Sequence, residues 1–278
     1  MTEGARGLAN RRRGAAIVSA LAAFAASVHA GPRVYSLDQC ADQYVLALSL
    51  PADIVGLSRR ATKADSYLRA DARGLSLRRA TSESVLAAGP SVVVRYWGGD
   101  RRLLGDLGRR GVRVVVIDDA ADFPGVRANV RRVAAAVGQS GKGEGLIADM
   151  DARLAVTAGA WRGAGALYLT SGGDTAGDAT LIDAMLRAAG LVNLAPGAGF
   201  HAFSLERLVL NPPAAVVLGF FDAAQGALQH WSLGRRAPLR RLARRRAIVS
   251  LPGAILGCPA WFAADGVAAI ARAKARSS

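Results

Sequence analysis

Two distant stretches of this chain follow one pattern. Glu83 is followed seven residues later by Pro90, then by Val92-Val93-Val94 and by Tyr96-Trp97. Glu206 is followed seven residues later by Pro213, then by Val216-Val217-Leu218 and by Phe220-Phe221. Each reads as a helix opening on an acid, a proline stop, a buried strand, and aromatic residues at the strand's carboxyl end. Strands that alternate with helices pair in parallel and build a layered α/β lobe. A repeat of the unit suggests two such lobes.

The rest of the chain keeps this rhythm. Residues 33–37, 53–58, 91–97 and 112–118 read as strands, with helices at 40–50, 81–89 and 100–111. A second series has strands at 165–173, 214–221 and 247–253, helices at 178–190, 204–212 and 237–247, and a closing helix after Trp261. Residues 123–157 break the alternation. Pro124 stands near the start, apolar residues fall at 126, 130, 133, 134 and 137, and the helical pattern resumes after "GQSGKGEG". This stretch is either a crossover within one sheet or a rigid connection between lobes. With the repeated unit on both sides, the reading is an α/β chain of two similar lobes with parallel-type sheets. They flank a ligand cleft and are joined by one long helix. The expected boundaries are 1–30 for a leader, 31–122 for the N-terminal lobe, 123–160 for the interlobe helix and 161–278 for the C-terminal lobe.

The leader is read from its own signals. Arg11-Arg12-Arg13 precede an apolar run at 14–26, and Val28-His29-Ala30 form a small-residue cleavage site. The run is short for a membrane span, so the expectation is a cleaved signal peptide and a periplasmic mature chain beginning near Gly31. An uncleaved anchor is the other reading. The formal charge is +15, and removing the leader's four arginines and one glutamate leaves +12. Such a balance fits nucleic acid, anionic lipid or an acidic ligand, or simply a solvated arginine-rich surface. Export argues against nucleic acid, despite seven arginines in "RRAPLRRLARRRA" at 235–247.

In an open parallel sheet, ligands bind beyond the carboxyl ends of the strands. Those ends are Asp38-Gln39-Cys40, Arg95-Tyr96-Trp97, Asp118-Asp119, Ser171-Gly172-Gly173, Phe220-Phe221-Asp222 and Gly257-Cys258. Aromatic faces mixed with a few polar groups suit a large, partly flat ligand. The only two cysteines of the chain, Cys40 and Cys258, fall in this set. In an oxidising compartment they would form a disulfide that ties the two lobes together; separate thiols, or thiols that touch the ligand, are the alternatives. Motifs for an enzyme fail. "GQSGKG" has Lys142 where a serine elbow needs glycine, and Gly143 where a phosphate loop needs serine or threonine. A Cys40–His201 pair lacks a third orienting group.

Four segments of the chain also resemble a known family. "RVYSLDQCADQYVLALSLPADIVGLS" is similar to the opening of the periplasmic binding proteins for iron-siderophores, haem and vitamin B12. "SESVLAAGPSVVVRYWGG", "LYLTSGGDTAGDATLIDAMLRAAGLVN" and "SLERLVLNPPAAVVL" resemble that family in its own order, over nearly all of residues 33 to 270. The resemblance implies a non-enzymatic, monomeric substrate-binding protein of an ABC importer, with no cofactor of its own. It would hold a metal chelate between its lobes and deliver it to an inner-membrane permease. "RYWGGD" leans to a corrinoid, and the positive charge would suit an anionic ferric siderophore, with haem third. A two-lobed metal- or tetrapyrrole-handling enzyme is the rival at the level of fold. By the same resemblance, Glu83 and Glu206 take the positions of the two acids that dock on permease arginines, and Tyr67 and either Tyr96 or Trp97 take those of ligand-contacting aromatics. In the second lobe, His201, Phe221 and Trp231 are the ligand candidates by position. Each turn after the acid-led helix departs from the family pattern, with Pro90-Ser91 and Pro213-Ala214 in place of Pro-Asp.

Overall fold

In the computed structural model, which describes residues 31–203, 206, 210, 212–220 and 245–277, the first sheet grows outward from its earliest strand. That strand, β1 (Val34–Ser36), pairs on one side with β2 (Ile54–Ser58) and through it with β3 (Leu77–Arg78). On the other side it pairs with β4 (Val92–Arg95), which carries β5 (Arg113–Val116). Every pairing is parallel. The run of three valines in β4 lies buried against Val34, Tyr35 and Ser36, as strands covered on both faces require. The order β3-β2-β1-β4-β5 reverses direction between β1 and β4, which opens a crevice at their carboxyl ends.

The second sheet repeats the arrangement. Its centre is β6 (Ala164–Thr170), which is followed in the chain by the short strand β7 (Asp174–Ala176) and by β8 (Leu191–Asn193). A further short strand, β9 (Phe200–Ala202), precedes β10 (Ala215–Gly219) and β11 (Ala247–Leu251). The sheet order is β11-β10-β6-β8, all parallel, with the reversal between β6 and β10. β7 and β9 form a separate antiparallel ribbon. The sequence pattern predicts none of β3, β7, β8 or β9. They are two or three residues long and largely exposed or irregular in burial, so no apolar period marks them.

Helix starts follow from side-chain caps. Asp38 caps α1 (Gln39–Leu48), Thr81 caps α2 (Ser82–Ala88), and Asp100 caps α3 (Arg101–Arg109). Asp122 caps α4 (Phe123–Ala136), with Pro124 in the first turn. In each case a side-chain oxygen accepts an otherwise orphan N–H, worth about 0.5–2 kcal/mol. α2 stops at Gly89, whose φ of 56° only glycine adopts without strain, and Pro90 follows. The side chain of Arg33 donates to the carbonyls of Ala88 and Gly89, fixing the end of that helix.

The connection between the sheets differs from the single long helix expected. It is two helices, α4 and α5 (Ser140–Thr157). Gly138 at φ 71° breaks the run. The Gln139 N–H reaches back to the Ala134 carbonyl at 2.8 Å and the Gly138 N–H to that of Ala135, the bonds of a Schellman stop. α5 then folds back along α4. Gly143 sits so near the Ala134 side chain that a Cβ there would come within 2.5 Å, and Arg127 pairs with Asp151 and Arg131 with Glu144 across the hairpin. α6 (Leu181–Ala188) is capped by Thr180, and α7 (Gly253–Leu256) and α8 (Ala263–Ser277) finish the chain. One apolar cluster runs from Val34 and Tyr44 through Ile147 and Met150 to Trp261 and Val267, so both sheets share a continuous core. Several features read from the sequence lie wholly or mostly outside the described residues. They are the leader 1–30, the acid-led segment 204–212 apart from Glu206, Leu210 and Pro212, the residues Phe221 and Trp231, and the arginine-rich segment up to Arg244.

α1 holds one carboxylate under the sheet. Asp42 is fully buried and accepts from Ser36 Oγ at 2.6 Å, Ser58 Oγ at 2.5 Å and Ser58 N at 2.8 Å. Burial pushes its carboxyl up to about 7, against the pull of those hydrogen bonds. A carboxyl raised in the folded state contributes its stability fully in acid. That stability is lost as pH climbs from the ordinary carboxylate range through about 7, and the curve then flattens. Asp42→Asn should remove most of this slope; urea unfolding at pH values between about 4 and 8 measures it.

Candidate functional site

The crevice of the first sheet is organised by Asp38. This residue is 2% exposed and stands where β1 hands over to α1. One carboxylate oxygen accepts the Ala41 N–H at 3.0 Å. The other accepts three successive backbone N–H groups, from Tyr96 at 2.7 Å, Trp97 at 3.2 Å and Gly98 at 2.9 Å. Four donors and the positive end of α1 satisfy a buried charge that would otherwise be costly. They also fold the "RYWGG" turn onto the end of β1. Gly98 completes the fit: a Cβ there would lie 2.7 Å from the Leu37 carbonyl oxygen.

Through Tyr96 that turn contributes to one wall of a cavity of about 360 Å³ between the two sets of strand ends. From the first sheet come Tyr96 and Asp119; from the second come the start of α6, Phe200 of β9, and the stretch Ile255–Pro259. The Tyr96 hydroxyl donates to Asp119 Oδ1 at 2.9 Å. Burial pushes its phenol up to about 12, helped by the adjoining carboxylate. Most of the remaining lining is aliphatic. Two large aromatics keep most of their surface open to solvent: Trp97, 61% exposed, and Phe200 of the lining, 65% exposed. A volume of this size falls within the range of small-molecule sites.

The floor of the cleft is fastened. Cys40 at the start of α1 and Cys258 beyond β11 form a disulfide, with Cα atoms 5.3 Å apart. Beside it the Tyr44 hydroxyl donates to the Pro259 carbonyl at 2.5 Å, and the Tyr44 ring meets Trp261 edge-on. Tyr67 stacks on Phe262, centroids 4.3 Å apart, and its hydroxyl bonds Asp265 of α8. Asp265 in turn pairs with Arg153 of α5 at 2.8 Å. Burial and the Asp265 carboxylate push the Tyr67 phenol up to about 12.

Comparison with known proteins agrees with this geometry. No family model matches the chain, and no curated protein does. Solved structures do. A periplasmic haem-binding protein from Pseudomonas aeruginosa shares 26% identity over 87% of this chain and 92% of its own, with a TM-score of 0.66. An ABC-type Fe3+-hydroxamate transport protein from Saccharomonospora viridis shares 17% over 87% and 93%, with a TM-score of 0.66. The vitamin B12-binding protein BtuF of Vibrio cholerae shares 15% over 88% and 96%, with a TM-score of 0.60. The chain has the fold of the periplasmic binding proteins for iron-siderophores, haem and vitamin B12.

Within this periplasmic-binding fold the expected site residues divide. Tyr96 lines the cavity, and Trp97 stands exposed beside it in the same turn. Tyr67 is committed elsewhere, to the contact with Phe262 and Asp265, and is not part of the cavity wall. His201 lies opposite Thr175 in the β7–β9 ribbon, its Nε2 buried and without a hydrogen-bond partner. Side chains alternate along a strand, so the neighbour Phe200 reaches the cavity and His201 turns away. Glu83 and Glu206 are both exposed. Asp38, Asp119 and Phe200 were not singled out from the sequence as individual site residues. Among the described residues no group of three or more His, Cys, Asp or Glu is placed to hold a metal ion.

The disulfide closes a loop spanning 218 positions. In the chain-entropy picture a loop of that length is worth about 5 kcal/mol. Replacing both cysteines by serine should therefore lower the unfolding free energy by roughly that amount in denaturant titration, and thiol titration of the unreduced, denatured wild type should find no free thiol.

Proposed function

We propose that this chain is an exported substrate-binding protein of an ABC importer, which captures a metal chelate between its two lobes and hands it to a membrane permease. One observation carries the reading: a partly apolar cavity lies between the carboxyl ends of two parallel sheets, with walls drawn from both lobes, in a fold shared with proteins described as binding haem or vitamin B12 and with one from an Fe3+-hydroxamate transport system. Corrinoid, ferric siderophore and haem are the candidate cargoes. The protein does no chemistry on them; capture and release suffice, and the ATP is used elsewhere. On this reading it works as a monomer in the periplasm, and the lobes are 31–122 and 161–278.

The two acids have a part in this scheme. Glu83 opens α2, whose far end is pinned by Arg33, and Glu206 is exposed in the second half of the chain. Exposed charges at a rim set encounter rate and orientation more than affinity. We assign them to docking on arginines of the permease.

Residues 31–278 titrated with cobalamin, haem and ferric siderophores should quench tryptophan fluorescence with sub-micromolar affinity for one of them. Absence of binding to any chelate sinks the reading, and turnover of a chelate would move the protein to the enzymes. Changing both Glu83 and Glu206 to Arg should abolish uptake in a reconstituted transport assay and leave chelate binding unchanged. Loss of chelate binding in that variant would refute the docking role.

A further inference from the structure

We propose that Asp119, held by Tyr96, is the residue with which the cleft reads the edge of its cargo, and that it favours a chelate edged by amide N–H donors over one edged by carboxylates. The inference rests on the reading of the chain as a chelate-binding protein.

Among the described residues, three lining side chains carry oxygen: Tyr96, Asp119 and Thr180. Thr180 is already spent, its hydroxyl donating to the Gly177 carbonyl at 2.8 Å and accepting the Asp183 N–H at 3.1 Å. Tyr96 gives its only proton to Asp119 Oδ1. Among the described side chains, what the cavity then offers is a carboxylate, an acceptor with no proton to give. Asp119 is exposed, so this acceptor is open to an incoming ligand.

The carboxylate is also held still. The Asp118 N–H and carbonyl both bond the buried Asn129 side chain of α4, at 2.9 and 2.8 Å. Arg132 of the same helix pairs with the Asp118 carboxylate at 2.7 Å. Ile117 continues the ladder to the Arg95 carbonyl at 2.8 Å. Asp119 therefore leaves a fixed strand end, with its neighbour's charge neutralised and its own facing the cleft.

A cargo seated against the aliphatic walls excludes water from Asp119 and so strengthens the contact it makes there. An N–H donor meeting Asp119 makes a charge-assisted hydrogen bond. A ligand carboxylate at the same point meets a like charge. The chain's overall positive charge acts at long range, on encounter; discrimination at contact falls to the local group.

The test uses residues 31–278 and three probes: cyanocobalamin, whose ring edge carries amides; a cobalamin derivative with one such amide hydrolysed to a carboxylate; and haem, which carries two carboxylates. Wild type, Asp119→Ala and Tyr96→Phe are compared by fluorescence titration, with circular dichroism as the check on folding. Wild type should prefer cyanocobalamin to its carboxylate derivative by about tenfold or more, the size of one hydrogen bond to a charged group. Asp119→Ala should weaken cyanocobalamin by a similar factor and bring the ratio of the two corrinoids near one. Tyr96→Phe, which frees Asp119 to move, should narrow the ratio part of the way. A ratio unchanged in Asp119→Ala overturns the inference, as does wild type that prefers haem or the carboxylate derivative. Wild type that binds another metal chelate but not cyanocobalamin keeps the parent reading and overturns this one. Binding of no chelate at all overturns both.

Discussion

Among the described residues, one short peptide gathers a disulfide and several buried contacts between the lobes. Residues 257–265 belong to the second half of the chain, yet Cys40, Tyr44 and Tyr67 of the first half hold them by a disulfide, a buried hydrogen bond and two aromatic contacts. Arg153 of the connecting hairpin joins at Asp265. The same peptide supplies Gly257, Cys258 and Pro259 to the cavity. The floor of the site and the seam between the lobes are thus one structure. A hinge that opened the lobes widely would have to break covalent and buried contacts together.

Above that floor, the first wall depends on a single carboxylate. Asp38 converts the end of a strand into the start of a helix and at the same time gathers the N–H groups of the next turn. The arrangement lies where the sheet order reverses, the place at which neighbouring loops part and leave room. Asp42, one helical turn later, is buried beside it with a different purpose: it ties β1 to β2 through Ser36 and Ser58 and is not part of this cavity's wall. Two aspartates of similar burial therefore divide the labour, one shaping the cleft and the other bracing the sheet beneath it.

The central strands were legible because their residues are apolar on both faces, a pattern no exposed element tolerates. β4 and β10, each with an acid and a proline at the same spacing before it, suggested the duplication. The edge elements were not legible, since two or three half-exposed residues carry no period. That blindness carried over to the site. The sequence offers His201 as a ligand candidate by position alone; with β9 in place, the neighbouring Phe200 is the residue that lines the cavity. Gly138 shows another limit. It was visible as part of a glycine-rich stretch, but only the back-bonding of Gln139 reveals that the helix stops and reverses there. Tyr67 was placed by likeness to a family, and its ring turned out to be needed at the seam. The disulfide was open on sequence alone, because spacing along a chain says nothing of distance across a cleft.

The same bridge alters what it means to cut this protein. Cys40 stands in the first helix and Cys258 beyond the last strand, so nearly the whole fold lies inside a covalent ring. One backbone cleavage anywhere within the ring opens it without dividing it. Both halves of the cleft would stay attached to each other, and the damage would become visible as two fragments only after reduction.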